Sequence, residues 1–307
     1  DRFALQVPQL GTAHAVTCAR PLVEGKSDLV LVANSDFPLI TKDTYQSLVD
    51  THLKGRSPLT ICTVLADDPR EFGRIVRDEN GRISGIVEDK VATEEQKKIK
   101  ELNSNPYCFN AEWLWRSLDK VEKSASGEYY LTDLVKIAYE GGYSVGSYEV
   151  KDRDESIGIN NRIHLAEATK ALQKRINRYW MLEGVTFIDP DSTYIETSVK
   201  IGKDTILYPQ VYLQGETLIG EECEIGPSVI LRDTSIGERC RLLYAMLEGA
   251  RLDNGVDIGP FAHLRKGAHL GDHVHMGNFG EVKNSYLGQG TKMGHFSYIG
   301  DAQIGKN

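Results

Sequence analysis

The chain has 307 residues, enough for two domains with real cores, and a formal net charge of −8. That balance argues against nonspecific nucleic-acid binding, and no apolar run approaches the length of a membrane span. Five cysteines, Cys18, Cys62, Cys108, Cys223 and Cys240, show no paired metal spacing, and their odd number points to a reducing compartment.

The opening tract DRFALQVPQLGT is not a signal peptide. The chain starts without Met and stops at IGKN inside a repeat, so it reads as a fragment of a longer protein. Residues 12–24 fit a short helix, and the small, polar tract QLGTAHA runs into its start, where Gly11 allows close approach of the backbone to a ligand. Leu29–Val32 is an apolar run flanked by charge, the pattern of a buried parallel strand. Asp36 stands just after it. Ligands of open α/β folds bind beyond the carboxyl ends of strands, and a carboxylate there suits Mg²⁺ and a phosphate, although a turn or cap is the commoner role.

Thr41 is the expected cap of the next helix, with Asp43 in its first turn. Strands are expected at 59–65, at 73–76 and 83–87 around the turn DENG, at 107–109 and at 145–150. Thr93 and Gln96 form a capping-box pair ahead of a short charged helix, EEQKKIKEL. Two more helices are read at AEWLWRSLDKV and at 131–139. Alternating strands and helices predict an α/β domain with a mainly parallel sheet. Residues 160–183 read as one long amphipathic helix that Gly184 stops. It either separates two domains or packs on the first. Asn160 precedes it, and Asn there caps a helix or offers a carbonyl to a metal.

From about residue 199 the period changes to six. Ile201, Leu207, Leu213, Ile219, Ile225 and Leu231 form one series, and Ile258, Leu264, Leu270, Met276 and Val282 a second. Leu287, Met293 and Ile299 form a third, and glycines follow many of the anchors. Six is neither 3.6 nor 2, so the pattern predicts a solenoid of very short strands, three faces to a coil. A β-sandwich with glycine turns is the rival, but its turns fall at a longer spacing. Arg265 and Lys283 each follow an anchor one coil apart, so they stack on one edge, where two cations need an anion between them or solvent screening. His295 follows Gly294, and a near-neutral imidazole suits removal of a proton from an attacking amine. His263, His269, His273 and His275 crowd the same region without a zinc-like spacing.

The tracts QVPQLGTAHA, EFGRIVRDENGRISGIVEDKVAT, GEYYLTDLVKIAYEGG, IGINNR, IGPFAHLRKGAHL, HMGNFGEVKNSYLGQGTKMGH and FSYIGDAQIG occur in order across both halves. With them the whole chain resembles the bacterial bifunctional family of N-acetylglucosamine-1-phosphate uridyltransferases and glucosamine-1-phosphate acetyltransferases. The resemblance implies a Rossmann-like nucleotidyltransferase domain at 1–162, a linker helix at 163–183, and a left-handed parallel β-helix of hexapeptide repeats at 184–307. The implied substrates are UTP, N-acetylglucosamine 1-phosphate, glucosamine 1-phosphate and acetyl-CoA. Asp36 and Asn160 are implied to hold Mg²⁺, with Asn34 and Ser35 beside them. Gln6, Gly11 and Thr12 are implied to meet the nucleotide, and Gly73, Glu88 and Asn103 the N-acetylglucosamine part. In the β-helix His295 is the implied general base, Arg265 and Lys283 bind the sugar phosphate, and Tyr298 lines the pocket, within a homotrimer.

Three departures stand out. Asn34-Ser35-Asp36 replaces the family's Tyr-Gly-Asp, and Asn103-Ser104-Asn105 its Asn-Thr-Gly. Gly280 stands for a Val, which is expected to open space near Lys283. The family's glycine-rich phosphate loop and its later acetyl-CoA coils fall outside the 307 residues, so impaired activity of the chain by itself is expected. The competing readings are a single-function sugar-1-phosphate nucleotidyltransferase with a structural β-helix, and a non-catalytic scaffold.

Overall fold

A computed structural model describes residues 2–66 and 70–306. It divides into two compact units, Asp1–Ala168 and Thr169–Asn307. The first is an α/β unit whose elements run α1 (Thr12–Val23), β1 (Leu29–Val32), α2 (Lys42–Gly55), β2 (Leu59–Leu65), β3 (Arg74–Arg77) and β4 (Ile83–Val87). They continue as β5 (Glu101–Asn110), α3 (Ala111–Leu118), α4 (Asp133–Glu140) and β6 (Gly146–Glu149). Local chemistry sets the helix starts. The Thr41 hydroxyl accepts from the Thr44 N–H ahead of α2, and Asn110 accepts from the Trp113 N–H ahead of α3. The core between helices and sheet holds Leu59, Ile61, Phe109, Leu114 and Leu134, none of them solvent-exposed.

The sheet order is β4-β3-β5-β2-β6, with β1 also on β5. Only β2 and β6 pair in parallel; β5 is antiparallel to β1, β2 and β3, and β3 to β4. The expectation of a mainly parallel sheet is therefore corrected. A continuous apolar run does not report strand direction: β2 is buried along almost its whole length beside the reversed β5, whereas β1, expected to be a buried parallel strand, runs antiparallel to β5 and is only partly buried, with Leu31 exposed. The capping box at Thr93 does form: its N–H donates to Gln96 Oε1 (2.9 Å) and its hydroxyl accepts from the Gln96 N–H (3.3 Å). The helix behind it is only a 3₁₀ turn, Gln96–Lys98. Leu102 is drawn instead into β5 opposite Val64, where it is fully buried, so packing overrides local propensity. The strand expected at 107–109 is thereby extended to ten residues.

Helix α5 (Arg162–Leu182) carries the division between the units. It stops as Gly184 adopts φ 95° and the Val185 N–H donates to the Trp180 carbonyl at 3.0 Å. Within the second unit its side chains hold the first coil. Gln173 Nε2 and Asn177 Nδ2 both donate to the Thr193 carbonyl, at 2.9 and 3.0 Å, and Trp180 joins the solenoid core.

The rest of the second unit is a parallel β-solenoid of three seven-stranded sheets, each strand two to four residues long. Anchors stack coil upon coil, as Leu213 on Leu231, Leu247, Leu264 and Val282. The stretch between Leu231 and Ile258 completes the series through Ile236, Leu242, Leu247 and Leu252, all buried. Steps of five at Ile236, Leu247 and Leu252 shorten those coils without breaking the stack.

Candidate active sites in the two units

The first unit contains a cavity of about 260 Å³ lined by Thr12, Asn34, Asp36, Gly73, Glu88, Asn103 and Asn160. These residues come from six separate segments. Asp36 reaches Asn160 because the Ile159 N–H donates to the Asp36 carbonyl at 2.9 Å, tying the end of β1 to the approach of α5. Asp36 Oδ1 is buried with no hydrogen-bond partner among the described residues. Asn160 is exposed at the cavity mouth, its N–H donating to His164 Nδ1 at 3.4 Å.

On the opposite wall the Gly73 carbonyl accepts the Asn103 N–H at 2.8 Å. A Cβ on Gly73 would stand 2.7 Å from Ile86 Cγ2, so glycine lets β3 approach β4 here. Glu88 Oε1 accepts from the Thr132 hydroxyl at 2.9 Å, and burial holds its carboxyl above the usual carboxylate range. Asn103 Nδ2 donates to the Tyr107 hydroxyl at 2.7 Å; burial raises that phenol's pKa as well.

Gln6, Gly11 and Ser35 do not line the cavity. Gln6 Nε2 donates to the Gly11 carbonyl at 2.9 Å and meets His14 Nδ1 at 3.1 Å. Gly11 has φ 99°, and a Cβ there would sit 2.5 Å from the Tyr129 carbonyl oxygen. Its close approach is thus to the chain's own backbone. The same junction positions Thr12, whose hydroxyl accepts the Leu131 N–H at 2.9 Å.

Sequence reasoning passed over three contributors. Thr132 holds Glu88. Asn105 lines the cavity beside Asn103. Arg74, only 2% exposed, pairs with Asp89 at 2.6 Å and donates to the Phe72 carbonyl, so it joins the segment before β3 to the one that follows Glu88. Arg74 reads as a surface charge in sequence, because Asp89 lies beyond a whole hairpin.

The solenoid residues gather along one sheet. Arg265 follows Leu264, and its N–H donates to the Val282 carbonyl; Lys283 lies opposite Gly300. Tyr298, exposed, lies opposite Glu281. His295 turns the corner before Tyr298 and is exposed, with no ring hydrogen bond among the described residues. The anion beside Arg265 is Glu281, at 3.0 Å, whereas Lys283 has no carboxylate in ion-pair range among the described residues. Three of the four other solenoid histidines pair with carboxylates across coils: His263 with Glu248, His269 with Asp253 and His275 with Asp257. No group of three or more potential metal ligands of the His, Cys, Asp and Glu types occurs among the described residues.

The profile of the Nucleotidyl transferase family matches residues 2–181. The chain is 45% identical to the bifunctional protein GlmU of Geobacillus sp. (strain WCH70), aligned over 100% of this chain and 67% of that protein. It is 43% identical to the bifunctional protein GlmU of Enterococcus faecalis (strain ATCC 700802 / V583), over 100% and 67%. The match to the Exiguobacterium sibiricum protein of the same name is 44%, over 99% and 68%.

The chain belongs to the bifunctional GlmU family.

It spans about two thirds of the length of these relatives. Its departures from the family pattern can now be placed. The space expected beside Gly280 is filled: a Cβ there would lie 2.6 Å from Met276 Cε and 3.3 Å from Met293 Cε. Both methionines are buried, so they occupy the volume a Val side chain takes and no gap opens toward Lys283. Asn34 faces the cavity and its carbonyl accepts the Phe37 N–H at 3.4 Å, whereas Ser35 is exposed in the turn between them.

Proposed function

We propose that the chain carries two transferase sites of UDP-N-acetylglucosamine synthesis. Residues 1–162 form the uridyltransferase domain, 163–183 the linker helix, and 184–307 the acetyltransferase β-helix. The observation that carries the reading is the first unit's cavity, where Asp36, Glu88, Asn103 and Asn160 converge. The phosphate oxygen of N-acetylglucosamine 1-phosphate attacks the α-phosphorus of UTP and pyrophosphate leaves. Such chemistry depends on positioning and charge neutralisation more than on a protein base.

The unpartnered Asp36 Oδ1 and the carboxamide of Asn160 are hard oxygen donors, which fit Mg²⁺. Bound there, the ion would neutralise charge on the phosphates. Glu88 and Asn103 orient the sugar by hydrogen bonds, and Thr12 lies at the nucleotide end with Gln6 and Gly11 behind it.

In the solenoid His295 takes a proton from the amine of glucosamine 1-phosphate. The nitrogen bonds to the thioester carbonyl of acetyl-CoA, the C–S bond breaks, and the sulfur leaves as the thiol of CoA. Lys283 and Arg265 bind the sugar phosphate, which displaces Glu281 from Arg265, and Tyr298 closes the pocket. Flat solenoid faces of this kind can pack about a threefold axis, which supports a homotrimer, and the substrates belong to the cytoplasm. No helix among the described residues is long and apolar enough to cross a membrane.

The Arg265–Glu281 pair is what a purely structural β-helix would also show, and it keeps the single-function nucleotidyltransferase as the rival. The test is a double dissociation. With the family's phosphate loop and acetyl-CoA coils joined to the chain, His295→Ala should cut acetyl transfer about 10²–10⁴-fold and leave uridyl transfer intact, and Asp36→Ala should do the reverse. Unchanged acetyl transfer in His295→Ala would favour the rival.

A further inference from the structure

Three residues lining one cavity each carry a buried side-chain oxygen with no hydrogen-bond partner among the described residues: Asp36 Oδ1, Asn103 Oδ1 and Asn105 Oδ1. The first two belong to residues already given roles. The third does not, and it stands where the family pattern has glycine. Asn105 is only 4% exposed, so its side-chain oxygen is withheld from bulk water without compensation among the described residues. Leaving such an acceptor unmet is costly, and a site retains it when a ligand supplies the donor.

The backbone explains how Asn105 comes to face the cavity. Strand β5 pairs Tyr107 with Ile61 and then Ser104 with Cys62, so Asn105 and Pro106 have no counterpart on β2. Bulges of this kind re-aim side chains next to binding sites. Ser104 is directed elsewhere, its hydroxyl 3.2 Å from that of Ser156. Asn103, Asn105 and Tyr107 all line the cavity. Asn103 already spends its Nδ2 on Tyr107. The wall therefore carries two side-chain acceptors without a partner among the described residues, and a hydrogen-bond donor on the ligand would satisfy them.

We propose that Asn105 is a specificity-determining residue of this cavity, its side-chain oxygen accepting a hydrogen bond from a hydroxyl or acetamido N–H of the bound sugar 1-phosphate. The inference rests on the sugar-phosphate reading of the cavity. A glycine at this position offers neither the acceptor nor the volume of the carboxamide. The chain thus reads one more group of the sugar than the family pattern does, and it penalises a sugar that lacks that group.

The test is equilibrium binding of N-acetylglucosamine 1-phosphate, its 3-, 4- and 6-deoxy analogues and glucose 1-phosphate to the whole chain and to Asn105→Gly. Asn105→Ala serves as a second variant, and thermal unfolding identifies any protein that has lost its fold. The whole chain should bind the parent about 3- to 10-fold more tightly than one of the analogues, and in both variants that preference should vanish for that analogue alone. A deoxy analogue identifies a hydroxyl donor and glucose 1-phosphate the acetamido N–H. Variants that bind every sugar as the whole chain does, or lose the same factor on all of them, overturn the role of Asn105 and leave the cavity's function standing. A whole chain that binds none of these sugars overturns both.

Discussion

At Gly11 a residue that looks like part of a nucleotide loop turns out to be fixed by the protein itself. Its φ of 99° and the 2.5 Å approach to Tyr129 leave no room for a side chain. Gly11→Ala should lose about 1–3 kcal/mol from backbone conformation alone, read as a lower denaturation midpoint. Gly280→Val meets Met276 and Met293 in a filled core, and overpacking should cost about 1–3 kcal/mol. Adding Met276→Val should recover most of it. Independent, additive losses in the double variant would show that the methionine does not occupy the valine's space.

Glu88 titrates above its ordinary value of 4.5 because burial disfavours its charge. The folded state therefore holds this proton at pH values where the unfolded chain releases it. The stability contribution is complete below about pH 4.5 and is lost as pH rises through the folded pKa. Glu88→Gln should remove that loss, so its stability relative to the unaltered protein should rise with pH above that point. Denaturation midpoints measured across pH check it, and a difference independent of pH refutes it.

At the scale of elements, the solenoid was legible because each aliphatic anchor recurs at a near-constant step and has nowhere to point but inward. The steps of five between Leu231 and Ile258 hid the middle coils, yet their anchors are as buried as the rest. Leu247, fully buried between Leu231 and Leu264, should cost about 2–5 kcal/mol when changed to Ala. A smaller loss would mean that the shortened coils are loosely packed. The α/β unit was read less well. Strand positions followed from apolar runs, but strand direction did not, since β5 runs against its neighbours without any trace in its own composition. The charged helix expected after Thr93 failed for a related reason: its cap was correct, and Leu102 was claimed by β5.

Across the whole molecule, the cavity residues come from segments far apart in sequence. The Asp36–Asn160 meeting depends on one backbone hydrogen bond from Ile159, which no local pattern announces. Family resemblance named these positions; packing explains why they meet. It also reveals what resemblance passed over, namely Arg74 tying Phe72 to Asp89 and Thr132 holding Glu88.

The central claim is that the first unit's cavity is a sugar-nucleotide site. Its most direct test is amide hydrogen exchange of the chain with and without saturating UDP-N-acetylglucosamine. The account predicts slowed exchange around Thr12, at 34–37, at 71–74, around Glu88 and at 102–107, with the solenoid from Leu213 to Ile299 unaltered. Slowed exchange confined to the solenoid, or none at the cavity segments at saturation, would contradict it.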